Sequence, residues 1–525
     1  MSFEEQAASL DRDAIVDLLV SQQKLTKSVN DLAARNEELS RQLDWFKRQL
    51  FGTKSERRII DADARQLALG ESFLDDASAP EPSITVPEHR RRTGKKRTEA
   101  DESGLRFDDS VPVEEIRIPH PDINEATEVV SEKITYRLAQ RAGTYCIVKI
   151  VRPVVKSKET GVLSAPPAPP AVLGKSIADV SLLACMVIDK FVYHLPLYRQ
   201  HQRMEAAGIR LARSTLTNLM HRTADLLSPI YHAQLDSILK SRVLTMDETP
   251  IRAGRKKRGE LKTGYFWPVY GDKNEIAFPF SPTRAGGMVR EVLGEYCGVF
   301  LSDGYKVYET YAASVNGVVH AQCWSHTRRQ FLKAEGVEPE LTKRALALIR
   351  RLYKEEGELS KKGLDGAKKL EKRAVTSMPV VNEFFEWLKT ELTERVLLPS
   401  SPFTKAMRYA LEREASLRVF LKYPDVPIDT NHIEREIRPI ALGRKNWLFC
   451  WTEVGAQGVG IFQSLLATCR VQGVDPYTYL VDVLQRVDEH PAAQVATLTP
   501  RLWKEHFAAD PLRSHIDRVV KNADS

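Results

Sequence analysis

Paired cysteines are missing from this sequence. Cys146, Cys185, Cys297, Cys323, Cys450 and Cys469 stand alone, with no CxxC spacing. That excludes a disulfide framework and a zinc ribbon, and suits a reducing compartment. No apolar run approaches the roughly 18 residues that span a bilayer, and no basic region followed by an apolar stretch opens the chain. The expectation is a soluble, cytoplasmic protein with no membrane partner. A strong charge bias is missing too. Lys+Arg 77 against Asp+Glu 70 leaves only +7, so net charge alone names no partner.

The 525 residues, 42% of them hydrophobic, are too many for one core and predict several domains. The basic residues are clustered, at His89 to Arg97 (HRRRTGKKR) and at Arg252 to Arg258 (RAGRKKR). Such runs, the second with Arg255, Lys256, Lys257 and Arg258, fit either a polyanion-binding surface or a solvated loop.

The first 52 residues read as a coiled-coil helix. Leu18, Leu25, Leu32, Leu39 and Phe46 hold d positions, and Ile15, Val29, Leu43 and Leu50 hold a positions. Gln22 and Asn36 share the a series, and a buried Asn there favours one register in a parallel pair. A homodimer is expected. Residues 53–110, poor in aromatics, read as a flexible basic linker. Residues 111–172 read as a small β unit with a stiff spacer, Ala165 to Pro170 (APPAPP). Residues 173–241 have the layout of a helix-turn-helix: a helix from Tyr198 to Ala207, a turn at Gly208, and a second helix from Arg213 to Arg222. Arg213, Thr217, Asn218 and Arg222 are its candidate DNA contacts. Residues 242–470 read as a mixed α/β domain interrupted by a charged helical insertion at about 330–420, with a helical tail over 471–525.

Within the α/β domain, Asp247 and Asp303 each end an apolar strand, and Glu434 lies on a later helix. If the two strands are neighbours, both aspartates share one sheet edge. Phosphodiester attack requires a deprotonated oxygen nucleophile and neutralised charge on the entering and leaving oxygens. Two hard cations about 3.5–4 Å apart provide both. Three carboxylates without His or Cys suit Mg²⁺ better than zinc. Singly, these residues read equally as turn formers, or for Glu434 with Arg438 as an i,i+4 pair. Cys323 and His326, three apart, fit half a zinc site or a structural or orienting role beside the carboxylates.

Four segments carry a resemblance: MDET from Met246, LSDGY from Leu301, CWSHTRRQF from Cys323 and DTNHIEREIRPIALGRKNWLF from Asp429. In order and wording they resemble bacterial insertion-sequence transposases of the IS66 family. RQLFGTKSE from Arg48 and DPYTYL from Asp475 extend the likeness over nearly the whole chain. The resemblance implies an α/β, ribonuclease H-like catalytic core with a helical insertion, preceded by the coiled coil and a helical DNA-binding region. It implies a DDE set in which Asp247 bridges two Mg²⁺ (or Mn²⁺) ions while Asp303 and Glu434 each hold one. Asn431 would orient Glu434 or a metal-bound water, and Arg435, Arg438, Arg444 and Lys445 would face phosphates, their alternative being surface ion pairs. It also implies element-end and target DNA as partners, small accessory proteins of the same element, and a nucleoid-associated location. One departure is clear: relatives carry a cysteine-rich zinc module where this chain has His120 to Cys146 without the cysteines, so no structural zinc is expected. A dimeric DNA-binding regulator with an inactive core, and a nuclease without strand transfer, are the competing readings.

Overall fold

A computed structural model describes residues 20–30 and 105–517, apart from 110, 122, 124–126, 142, 258–259, 396–397 and 448–449. Residues 20–30 are helical and exposed along their length, with Leu25 69% and Val29 56% accessible. The rest of the expected coiled coil, nearly all of the expected linker and Arg258 lie outside the described residues. By its contacts the chain divides into two units: Met1–Thr98 with Gln330–Ala345 and Leu392–Met407, and Glu99–Arg329 with Leu346–Glu391 and Arg408–Ser525. In the first, Phe331 and Phe403 meet edge to face at 5.6 Å. All the sheets belong to the second.

The second unit begins with a short strand, β1 (Arg106–Phe107), and then β2 (Val113–Arg117). A long antiparallel hairpin follows, β3 (Thr127–Arg141) with β4 (Thr144–Ser157), and a short β5 (Leu163–Ser164) edges it. β2 pairs parallel to β4. Gly143 at φ +82° serves the hairpin turn, where a side chain would be strained. Cys146, Ile147 and Val148 are all buried, so β4 is covered on both faces. Leu138 and Ile147 join the main core, while Ala139, Cys146, Val148 and Ile150 pack around Ile516.

Helices α1 (Val180–Phe191) and α2 (Leu197–Ala206) come next. Asp179 caps α1 by accepting from Ser181 N at 2.9 Å. Gly208 makes the expected turn at φ +81°, and β6 (Ile209–Arg210) pairs with β1. The helix expected to end near Arg222 instead runs as α3 from Arg213 to Leu239, through Pro229. Its buried face, Leu216, Met220, Leu227, Ile230 and Ile238, continues well past Arg222 and sustains it.

β7 (Val243–Met246) is followed by the β8 (Thr249–Lys257) and β9 (Glu260–Phe266) hairpin, then β10 (Val269–Gly271), β11 (Glu275–Ala277) and β12 (Phe280–Ser281). The basic run at Arg252 is therefore largely strand, bulged where the register shifts between Arg252 and Arg255, beside Gly254 at φ +74°. Helix α4 (Gly287–Leu293), β13 (Gly298–Ser302), α5 (Lys306–Ser314) and β14 (Val318–Gln322) complete a five-stranded mixed sheet in the order β11-β10-β7-β13-β14. β13 runs parallel to both β7 and β14, and β10 antiparallel to both β7 and β11.

The remaining chain is helical: α6 (Trp324–Leu332), α7 (Pro339–Lys361), α8 (Gly366–Val375), α9 (Ser377–Glu394), α10 (Pro402–Glu412), α11 (Glu414–Leu417), α12 (Asn431–Trp447), α13 (Glu453–Gln472), α14 (Pro476–Arg486) and α15 (Pro500–His506). α13 covers the exposed edge of the sheet. Ser464 Oγ accepts from Phe278 N at 2.9 Å and Thr468 Oγ1 from Ile276 N at 3.1 Å, while Gln234 of α3 donates to Ile276 O at 2.7 Å. Side chains thus satisfy the backbone groups that an edge strand leaves open.

Candidate active site

The parallel pairing of β7 with β13 brings the ends of two apolar strands side by side, with Leu301 opposite Thr245. Asp247 and Asp303 each stand just past such an end. Both are half-buried. Asp247 Oδ1 accepts from Glu248 N at 2.8 Å. Burial, together with the negative charges of Glu248, Asp303 and Glu434, pushes the Asp247 carboxyl up to about 7 against the lowering effect of that backbone bond. The three acids named from sequence therefore share one electrostatic neighbourhood. Among the described residues no group of three acidic, His or Cys side chains is drawn together closely enough, as it stands, to hold a metal ion.

Asp303 Oδ1 accepts from Tyr305 N at 2.9 Å, at the residue that precedes α5. Gly304 is required beside it, because a Cβ there would lie 2.1 Å from the Tyr409 hydroxyl and 2.8 Å from its ring. Gly304→Ala is expected to cost about 1–3 kcal/mol of stability by overpacking. Gly304→Ala with Tyr409→Phe should recover part of the loss in a thermal melt. If the single variant melts like wild type, this contact does not hold Asp303.

Glu434 sits in the first turn of α12, its side chain 33% exposed, with Arg329 Nη2 at 3.5 Å and His326 Nε2 at 3.9 Å from Oε1. His326 is held below its usual pKa by burial, opposed by Asp303, Glu434 and Glu248, with Arg329 adding to the fall. The ring thus lies near the carboxylates. Cys323 has a different environment. Its thiol is 2% exposed and takes hydrogen bonds from Thr430 N and Oγ1, both at 3.3 Å. Burial pushes it up to about 11. A thiol so occupied ties α6 to the start of α12 and offers zinc no thiolate. Purified protein is expected to carry well under one zinc per chain by elemental analysis, and a chelator should leave its melting temperature unchanged. Asn431 donates its amide to Asp429 Oδ2 at 2.6 Å, so that amide is directed to Asp429.

Several neighbours were not singled out from the sequence, although Glu248, Tyr305 and His432 lie inside its quoted motifs. Glu248 accepts from the Tyr308 hydroxyl at 2.5 Å and pairs with Arg284, whose guanidinium lies 4.3 Å over the Tyr305 ring. Glu248 is thereby held by two partners beside Asp247, to which its charge still contributes. His432 Nε2 meets Thr245 Oγ1 at 3.1 Å and its ring meets Tyr270 edge on at 4.9 Å, fastening α12 to β7.

The expected DNA contacts divide into open and engaged groups. Arg213, Thr217 and Asn218 are exposed on α3, Arg213 resting 4.9 Å over the Tyr198 ring. Arg222 instead donates to Gly174 O at 2.9 Å. Arg255, Lys256 and Lys257 are exposed on β8, the two lysines 2.9 and 3.2 Å from Glu260. Arg435, Arg438 and Lys445 are exposed along α12, whereas Arg444 is half-buried and donates to Pro250 O.

Comparison with known proteins follows the same segments. The family model described as Transposase IS66 family matches residues 175–458, IS66 C-terminal element matches 464–501, and Transposase C of IS166 homeodomain matches 38–116. Two similar proteins come from Sinorhizobium fredii, each described as uncharacterized. One, y4hP, is 27% identical over 503 residues, covering 90% of this chain and 89% of the relative. The other, y4jD, is 30% identical over 380 residues, covering 68% and 73%.

Proposed function

Because this chain belongs to the IS66 transposase family, we propose that it is a DNA transposase that cuts at insertion-sequence ends and joins them to target DNA. The observation that carries this reading is the pairing of β7 with β13, which sets Asp247 beside Asp303, with the charge of Glu434 felt at Asp247. In this reading the five-stranded sheet is the core of a ribonuclease H-like domain, and Asp247, Asp303 and Glu434 would hold two Mg²⁺ or Mn²⁺ ions. An all-oxygen donor set fits hard cations, and a carboxyl raised to about 7 by burial and by neighbouring acids gains from a cation replacing its proton. Bound ions would supply Lewis-acid stabilisation of the entering and leaving oxygens.

The chain's own residues do the rest. Glu248, held by Tyr308 and Arg284, fixes the backbone that presents Asp247. His326 and Arg329 orient Glu434. Water attacks phosphorus and the P–O3′ bond breaks, leaving a 5′-phosphate and a free 3′-hydroxyl; that hydroxyl then attacks a target phosphorus, gives up its proton, and the target's own P–O3′ bond breaks to release a protonated 3′-hydroxyl. Exposed Arg213, Arg255, Arg435, Arg438 and Lys445 contact phosphates. Residues 1–52 dimerise the chain so that two ends are brought together, with small proteins of the same element as further partners. The test is nicking and joining of DNA carrying the element's ends in Mg²⁺ or Mn²⁺, with Asp303→Asn and Glu434→Gln alongside. Cutting by wild type and binding without cutting by both variants supports the reading. Binding without cutting by wild type, under any metal or with companion proteins, replaces it with a DNA-binding regulator.

A further inference from the structure

A concavity of about 660 Å³ lies in the second unit, and none of Asp247, Asp303 and Glu434 lines it. Its volume is within the range of small-ligand sites. It is lined by Arg242, just before β7, by the turn that carries Lys273 between β10 and β11, by Lys369 of α8 and by Asp425 in the loop before α12. At its inner wall are Thr245 and His432, the pair that fastens α12 to β7.

The charges in the cavity do not balance. Arg242 reaches Asp425 at 2.9 Å and Asp272 at 4.0 Å, and its backbone N–H also donates to Asp272 at 2.8 Å. Both carboxylates are therefore engaged. Lys240, Lys273 and Lys369 line the same space, and none makes an ion pair among the described residues. Three positive charges exceed the single negative charge left by Arg242 with its two partners. They also exceed the roughly half-charge of the α3 C-terminus beside Lys240. Lys369 is half-buried, and burial holds its ammonium below the usual pKa. Three lysines on different elements lining one volume, Lys240 and Lys273 exposed and Lys369 half-buried, suit an anion with several oxygens at different directions, which a phosphate provides and a carboxylate does not.

We propose that this cavity, which none of the three acids lines, binds a phosphate group through Lys240, Lys273 and Lys369. The phosphate belongs either to a nucleic-acid backbone or to a free phosphorylated small molecule, and the site stands whether or not the chain moves DNA.

Calorimetric titration of the full chain tests it, using inorganic phosphate, a nucleoside 5′-monophosphate and a short duplex without terminal phosphates. Lys273→Gln, Lys369→Gln and the double variant are compared with wild type after melting curves establish that they fold. Each lost lysine should weaken the preferred ligand by about tenfold or more. Weakened duplex binding with unchanged monophosphate binding assigns the site to the DNA backbone; the converse assigns it to a free phosphorylated ligand. If folded variants bind all three probes as wild type does, or wild type binds none, the proposal is overturned.

Discussion

Asp247→Asn is expected to remove metal-dependent DNA cleavage while making the metal-free protein more stable at neutral pH. Losing one oxygen ligand to a cation removes several kcal/mol of transition-state stabilisation, roughly a thousandfold in rate. The stability gain comes from the same crowding of charge. In the unfolded chain Asp247 ionises near 4; in the fold it ionises at about 7, because burial and the charges of Glu248, Asp303 and Glu434 oppose its carboxylate. The folded chain therefore holds an extra proton between those values. It loses stability as pH rises from about 4 to about 7, and the loss is constant above that. Asn cannot ionise and avoids it. Screening at a half-buried position reduces the gain to about 1–2 kcal/mol, so the variant and wild type should melt alike near pH 4 and part by a few degrees at pH 8. A variant that cuts DNA at the wild-type rate removes Asp247 from the proposed ligand set.

The same proton shapes metal binding. Below pH 7 a cation must displace it, so apparent Mn²⁺ affinity should rise about tenfold per pH unit up to roughly 7 and flatten beyond. Titrations at pH 5.5, 6.5 and 7.5 measure the slope. A flat profile from wild type would mean that Asp247 is ionised without metal and that the cation binds elsewhere.

The strands that carry the acids were legible because each is a short apolar run closed by Asp, and the β7 and β13 runs of Val243–Met246 and Gly298–Ser302 are buried almost throughout. Other elements hid their period. β4 is covered on both faces, so the two-residue alternation that marks a strand is absent from Cys146 to Val148. On β8 the alternation of buried Ile251 and Ala253 with exposed Arg252 is broken at the bulge by Gly254, leaving a run that reads as a basic loop. α3 offered no stop signal after Arg222, and only its buried face shows that it continues through Pro229. The residues around the acids were illegible for a different reason. Tyr308 reaches Glu248 across 60 positions and His432 reaches Thr245 across 187, and no local pattern encodes such partners. Cys323 and His326 were seen together in sequence, but only their surroundings separate them: Thr430 occupies the thiol, and the imidazole lies by Glu434.

Arg373→Met is expected to give the largest loss of stability among substitutions away from the acids. The guanidinium is 1% exposed and meets Glu356 three times, at 3.1, 3.1 and 2.7 Å. It also donates to the carbonyls of Phe420 at 2.5 Å, Tyr423 at 3.0 Å and Val426 at 3.1 Å. One side chain thus joins α7 and α8 to the loop that leads into α12. Methionine matches much of its length but leaves the Glu356 charge buried with only the Ser377 hydroxyl, at 2.7 Å. Breaking a buried pair in this way costs about 3–5 kcal/mol. Arg373→Lys keeps the charge but cannot form the planar fork, and should fall between wild type and Met. Arg373→Met with Glu356→Leu removes the stranded charge and should recover a large part of the loss, which separates charge burial from simple loss of packing. The loop continues to Ile428, whose carbonyl accepts from Trp324 N at 2.9 Å, and then to Asp429, Asn431 and Glu434. Loosening it should therefore lower cleavage even at temperatures where Arg373→Met is still folded. Urea midpoints and cleavage rates measured on the same four proteins decide the matter. A fall in midpoint with an unchanged rate would make the pair a support of the insertion alone, whereas a fall in both ties the helical insertion to the placement of Glu434.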